Sequence, residues 1–158
     1  MAFSSPGKSL GVNVLLTHTT AKHPLGLRVM SNDGTEYVYV KAGEALAVKD
    51  ALKGVIGTTT AQGPAEHLNG VLKTTAAASP VIGVTTVAIA SGSYGFVAAK
   101  GYVAVNLVSS GVAPGDYVRS SATAGALTAK GETDTIEGIC GFCTADDASN
   151  AGSVFLNV

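Results

Sequence analysis

Tryptophan is absent, and aromatic residues together make up 6% of the chain. Charge is scarce too: Asp, Glu, Lys and Arg account for 13% of residues, about half the ~25% of an average soluble domain. No apolar run approaches the ~18 residues of a membrane-crossing helix. The longest, residues 81–90, is interrupted by Gly83, Thr85 and Thr86. The ten lysines and arginines are scattered singly, and the net charge is −1 with a pI of about 6.3. No basic stripe can track phosphates, which argues against a nucleic-acid partner, and the same scatter argues against a charged membrane surface. The start of the chain, Met1 to Gly11, lacks both an apolar signal-peptide core and a glycine after Met1, so synthesis and use in a cytoplasm are expected. With mean hydropathy at +0.34, a chain so poor in charge must expose neutral surface or bury it against neighbours. An oligomer or lattice component fits best.

Candidates for catalysis are equally few. The two cysteines form Cys140-Gly141-Phe142-Cys143. A thioredoxin-like thiol needs a helix N-terminus, but turn formers follow in Thr144 to Gly152. A zinc site needs two further ligands, and His18, His23 and His67 lie far upstream without pair spacing. On a regular strand the two thiols point to opposite faces with Cα atoms about 10 Å apart, beyond the ~7 Å reach of a disulfide. Small buried apolar residues are the expected reading. Gly7-Lys8-Ser9 ends like a P-loop, but Ala2 stands where its first glycine belongs and no strand precedes it. Asp146, Asp147 and Asn150 fit an Asx-rich turn better than a weak cation site, and Asp50 and Asp116 read as turn residues. No nucleophile elbow appears. The expectation is a protein that is not an enzyme and holds no cofactor or metal.

What the chain does have is strand-and-turn composition, with 20 glycines among many Thr, Val and Ser. Residues 1–11 read as an extended arm and residues 12–158 as one β-rich domain with a long loop at about 57–79. A hairpin is expected from Leu27–Met30 and Glu36–Val40, turning at Ser31-Asn32-Asp33-Gly34. Tyr37 and Tyr39 then share one face, Val38 and Val40 the other. Glu44–Lys53 is ambiguous between a short helix and a strand, with strand preferred. Within the long loop a short strand is expected near Val71-Leu72. Further strands are expected at 81–89, 94–98, 102–108, 116–119, 126–128, 136–143 and 154–158, the second and third of these separated by a turn at Lys100-Gly101. The fold class is therefore all-β, a small barrel or sandwich of many short strands.

A weak internal duplication suggests two similar β units sharing a core. Residues 46–52 match 112–118 with Asp50 and Asp116 in register. Residues 81–84 match 136–139, and 92–96 match 152–156.

The succession Glu36-Tyr37-Val38-Tyr39-Val40-Lys41-Ala42-Gly43, an Ala-rich segment ending in Asp50, Ile82-Gly83-Val84, Ser93-Tyr94-Gly95-Phe96-Val97, Gly101-Tyr102-Val103, Gly115-Asp116-Tyr117-Val118 and Ala124-Gly125-Ala126-Leu127-Thr128 resembles the capsid cement or decoration proteins of tailed bacteriophages over roughly residues 27–158. The order is more telling than any one motif. The resemblance implies a β-barrel or sandwich that self-associates, trimer favoured over dimer, and sits on the outer face of a virion against the major capsid protein, with no catalytic residues to carry over. The arm and the 57–79 loop have no counterpart in that pattern. Expected subunit contacts are the arm residues Ala2, Phe3, Ser4, Ser5, Pro6, Gly7 and Lys8, and an exposed Tyr37/Tyr39 face; the alternative for the tyrosines is that they cover the chain's own core. A tail-tube or baseplate subunit is the nearest rival, and a surface carbohydrate-binding module is the rival of a different class.

Overall fold

The computed structural model describes residues 8–9, 11–55, 66–76, 79–108, 112–131, 138–147 and 150–158. Twelve strands are found among them: β1 (Lys8–Ser9), β2 (Val12–Asn13), β3 (Arg28–Met30), β4 (Glu36–Ala42), β5 (Ala51–Lys53), β6 (Asn69–Lys73), β7 (Val81–Thr85), β8 (Tyr94–Leu107), β9 (Tyr117–Ser120), β10 (Ala126–Ala129), β11 (Ile139–Asp147) and β12 (Ala151–Asn157). The only helical piece among the described residues is one 3-10 turn at Glu66–Leu68. Among the described residues, no helix is long and apolar enough to cross a membrane. The fold is all-β, as composition predicted. The expected hairpin is present as β3 and β4, antiparallel with Val29 opposite Tyr37.

Strand pairing shows how the sheet closes. The 14-residue β8 is bonded along its first half to β4 and β7, and along its second half to β12 and β10. The sequence predicted two strands with a turn at Lys100-Gly101. Instead the strand runs through, because Gly101 takes a φ of +108° and lies against the Thr35 backbone, where a Cβ would come within 3.0 Å. Around the first half, β8–β4–β6–β5–β7–β8 is a closed ring of five strands. Around the second half, β8–β12–β11–β9–β10–β8 is another.

The two rings have the same pairing pattern. The one parallel contact in the first, β4 with β6, corresponds to the one parallel contact in the second, β8 with β10. Thus β4, β5, β6, β7 and the start of β8 correspond to the end of β8, β9, β10, β11 and β12. The expected duplication is present at the level of the fold. Its first block stands in the predicted register: Asp50 Oδ2 accepts the Ala47 N–H at 2.8 Å, and Asp116 Oδ2 accepts the Ala113 N–H at 2.8 Å. The other two blocks are each displaced by three residues. Gly83 is opposite Leu52 as Gly141 is opposite Val118, so residues 82–84 correspond to 140–142 rather than to 137–139. A bulge follows at the same place in each copy, at Ile82 and at Cys140. Val97 corresponds to Val154, since each is opposite the strand position that follows its glycine by two residues, Thr85 and Cys143.

Each barrel has its own interior. Val38, Val40, Ala42, Leu46, Leu52, Val71, Val97 and Ala99 fill the first. Their counterparts Val103, Val105, Leu107, Val112, Val118, Leu127, Val154 and Leu156 fill the second. Alternation along the strands places these residues on one face, which is what period-2 patterning dictates. The outer face of the first barrel is covered by the chain itself. Val14 is buried there, and Val12, Leu25, Leu27 and Val29 pack on the same cluster as Tyr37, Tyr39 and Phe96. The covering segment is tied down by reciprocal backbone bonds between His18 and Tyr94 (2.8 and 2.7 Å) and between residues 26–27 and Tyr39 (2.9 Å each).

Candidate functional site

The tyrosines named from the sequence do not form a surface. Tyr37 is 6% exposed and Tyr39 is fully buried. The expected exposed Tyr37/Tyr39 face is corrected by this burial: β4 has apolar neighbours on both faces, because residues 12–29 lie over its tyrosine side. The pair covers the chain's own core. Histidines that looked solitary meet there. Tyr39 Oη lies 3.3 Å from His18 Nδ1, and the His23 ring stands edge-on to Tyr39 at 5.1 Å. No group of three His, Cys, Asp or Glu able to hold a metal occurs among the described residues.

Of the arm, residues 2–7 lie outside the described residues. Lys8 and Ser9 pair with Asn13 and Val12 in a two-stranded ladder separate from the main sheet.

The Cys140/Cys143 pair is likewise corrected in its geometry. Both residues are buried in the second barrel's interior and neither is in a disulfide. The bulge between Ile139 and Gly141 adds one residue to β11, which shifts the alternation and turns both side chains inward. Cys140 Sγ lies 3.5 Å from the Val118 carbonyl oxygen, and burial pushes its thiol up to about 12. A protonated, enclosed thiol is a poor nucleophile and a poor metal ligand. Asp146 and Asp147 belong to the end of β11 rather than to a turn, and Asn150 follows in the left-handed region.

Sequence reasoning missed the feature that stands out on the surface. Tyr117 on β9 is opposite Phe142 on β11, Phe142 is opposite Phe155 on β12, and Phe155 is opposite Tyr102 on β8. Four aromatic residues therefore stand side by side across four adjacent strands, on the outside of the second barrel. Tyr102 is 66% exposed, Tyr117 62% and Phe142 38%. The rings touch: Phe142 and Phe155 are stacked at 5.5 Å, and Tyr102 meets Phe155 edge-to-face at 5.0 Å. Beneath the row, the bulge at Ile139–Gly141 opens a hollow of about 280 Å³ floored by Cys140 and bounded by Tyr117, Phe142, Phe155 and Asn157. The described charged side chains framing this face are Lys100 opposite Asn157, Arg119 opposite Ile139, and Lys130, whose N–H donates to the Tyr117 carbonyl. Among the described carboxylates nearby, Glu36 pairs with Arg28, and Asp116 accepts the Ala113 N–H while keeping its charge. The counterparts of the row in the first barrel are Tyr37, Ala98, Val84 and Ala51, all buried. The sequence signal for the row was alternation in each strand, but nothing in it gave the strand order that aligns the four residues.

No protein-family model and no curated protein matches the chain. Among solved structures, the fold is similar to the head fiber gp8.5 N base of bacteriophage phi29, with a TM-score of 0.54 and 12% sequence identity, covering 77% of this chain and 92% of that one. At that identity the likeness is one of fold.

Proposed function

We propose that the chain is a non-enzymatic virion structural protein that decorates and stabilises the outer surface of a phage capsid by binding between neighbouring major capsid subunits. The observation that carries this reading is the fold it shares with the base of a phage head fiber. Its low charge content supports it, as does the exposed aromatic row of the second barrel. Binding is then the whole mechanism. A ligand that recognises the assembled shell and not its separated subunits stabilises the shell by mass action. Many weak contacts repeated over a lattice add to a large collective resistance to disruption. The arm residues Ala2, Phe3, Ser4, Ser5, Pro6, Gly7 and Lys8 reach a neighbouring subunit, and copies of the chain associate with one another, as a trimer in preference to a dimer.

The test is to add purified protein to shells lacking it and to follow co-sedimentation together with thermal disruption of the shell. Saturable binding that raises the disruption temperature is expected. Binding without stabilisation, or none, would leave the tail-tube reading, which ring formation by the isolated protein would support. Deleting residues 2–10 is expected to weaken shell binding while leaving the main sheet folded, since β1 and β2 form a ladder of their own; unchanged affinity would remove the arm from the interface.

The aromatic row favours a second reading, a carbohydrate-binding module, for which exposed clustered rings are the requirement. Here part of each Phe142 and Phe155 ring face is already taken by the other.

A further inference from the structure

We propose that residues 12–25 form a latched strap, a segment that lifts from the first barrel as a unit while both barrels stay folded, and that the Tyr39 hydroxyl is its latch. The strap contributes little to either barrel interior. Val14 is its one buried residue, whereas Leu15, Leu16 and Thr17 are exposed, as are residues 19–22 and Pro24. Its own strand, β2, is bonded to β1 in a ladder that shares no strand with the main sheet. Few buried apolar side chains and a backbone open to water mark a segment at the low end of local stability. Its fastenings are few and placed on two strands. Reciprocal backbone bonds of 2.8 and 2.7 Å join His18 to Tyr94 on β8. The other fastening is a side chain on β4: Tyr39 Oη accepts the Lys22 N–H at 3.2 Å and meets His18 Nδ1 at 3.3 Å. One hydroxyl on a buried residue thus holds the strap at two points, and the His23 ring adds contacts with Tyr39 at 5.1 Å and Phe96 at 5.5 Å. Beyond Leu25, Gly26 takes a φ of +81°, which glycine adopts without strain, and the Pro24 carbonyl accepts the Leu27 N–H at 3.1 Å. Rotation at this turn lifts the strap without unpairing β3 from β4. Release uncovers Tyr39 and Phe96, both fully buried when the strap is down. A partner that binds the released strap, or the face beneath it, draws the equilibrium toward the open form.

The test is native-state hydrogen exchange of the full chain, followed residue by residue by NMR at increasing sub-denaturing urea. The amides of His18, Lys22 and Tyr94 are all bonded across the contact between strap and barrel. They are expected to exchange together, at least about tenfold faster than the amides pairing β8 with β12, and with a shallower urea dependence, because less surface is exposed. Tyr39→Phe keeps the ring and deletes the latch. It should speed exchange at Lys22 and Tyr94 about tenfold further while leaving the Gly26 amide and the barrel amides unchanged. His18→Ala removes the other half of the latch from the strap side and should act in the same direction at the same two amides, so the comparison survives if the Tyr39 variant fails to fold. Exchange of the three amides at the barrel rate, with the barrel's urea slope, would make the strap part of the core and overturn the proposal. Acceleration spread equally over strap and barrels in both variants, or absent from both, would overturn the latch.

Discussion

Burial changes the acid–base behaviour of two side chains in the same direction. The Cys140 thiol is pushed up to about 12 by desolvation, and the Tyr37 hydroxyl is raised by burial first and by the Asp33 carboxylate second. Both groups are neutral when protonated, so the unfolded chain releases these protons at lower pH than the folded one. Their contribution to stability is therefore complete below the thiol's unfolded pKa of about 8.5 and is lost as pH rises toward 12. The unfolding free energy of the wild type, from denaturant titrations, is expected to fall between pH 9 and pH 10 with a slope on the order of 1.4 kcal/mol per pH unit. Cys140→Ala should remove most of that slope and leave the Tyr37 part. A wild-type free energy that is flat over this interval would contradict the assignment. Both thiols should also react slowly with iodoacetamide until the protein is unfolded. That the cysteines serve as small buried residues was legible from their spacing and from the missing partner ligands. Which way they point was not, because one inserted residue at the bulge reverses the rule of alternation that any strand-based reading must use.

Strand-level features repeat where the sequence barely does. A Cβ at Gly83 would sit 2.7 Å from the Ala98 carbonyl oxygen, and one at Gly141 would sit 2.0 Å from the Phe155 carbonyl oxygen, its counterpart in the second barrel. Backbone cannot yield as a flexible side chain can. Gly83→Ala and Gly141→Ala are each expected to destabilise the protein by at least about 2 kcal/mol, with Gly141→Ala the worse. Thermal denaturation measures both, and a loss near zero in either would mean that the ladder opens freely at that point. These two glycines are also the marks that would have aligned the repeat correctly, as Ile82-Gly83-Val84 with Cys140-Gly141-Phe142. The eye is drawn instead to Ile-x-Gly-like runs three residues away, because Gly, Ala and Val are common throughout the chain. The hairpin of β3 and β4 was readable from alternation and its Asn-Asp-Gly turn. The continuity of β8 was not, since Lys100-Gly101 has turn composition and only the contact with Thr35 shows that the glycine serves a straight passage.

At the scale of the whole molecule, one of two equivalent acids has acquired a second task. Asp116 caps its turn in solvent-accessible surroundings, while Asp50, 5% exposed, also accepts from Asn106 Nδ2 at 3.2 Å on β8 and pairs with Lys73 Nζ at 3.7 Å. Around it the Ala51 N–H donates to the Gly125 carbonyl and the Gly125 N–H to the Thr74 carbonyl, both across the junction of the barrels. Asp116→Ala should cost about 1 kcal/mol, in line with the loss of a cap. Asp50→Ala should cost about 3 kcal/mol, since buried donors and a lysine lose their partner. Equal losses in chemical denaturation would show that the junction does not depend on Asp50. Turn roles for both acids were legible in the sequence; their divergence was not, and neither was the aromatic row, because residues 102, 117, 142 and 155 become neighbours only through the order of strands. The shared β8 has a mechanical meaning as well. Tension applied between the two barrels runs along a continuous covalent backbone, with β4 and β12 gripping it lengthwise through rows of hydrogen bonds that must all slide together. The joint between the halves is thus a beam and not a hinge.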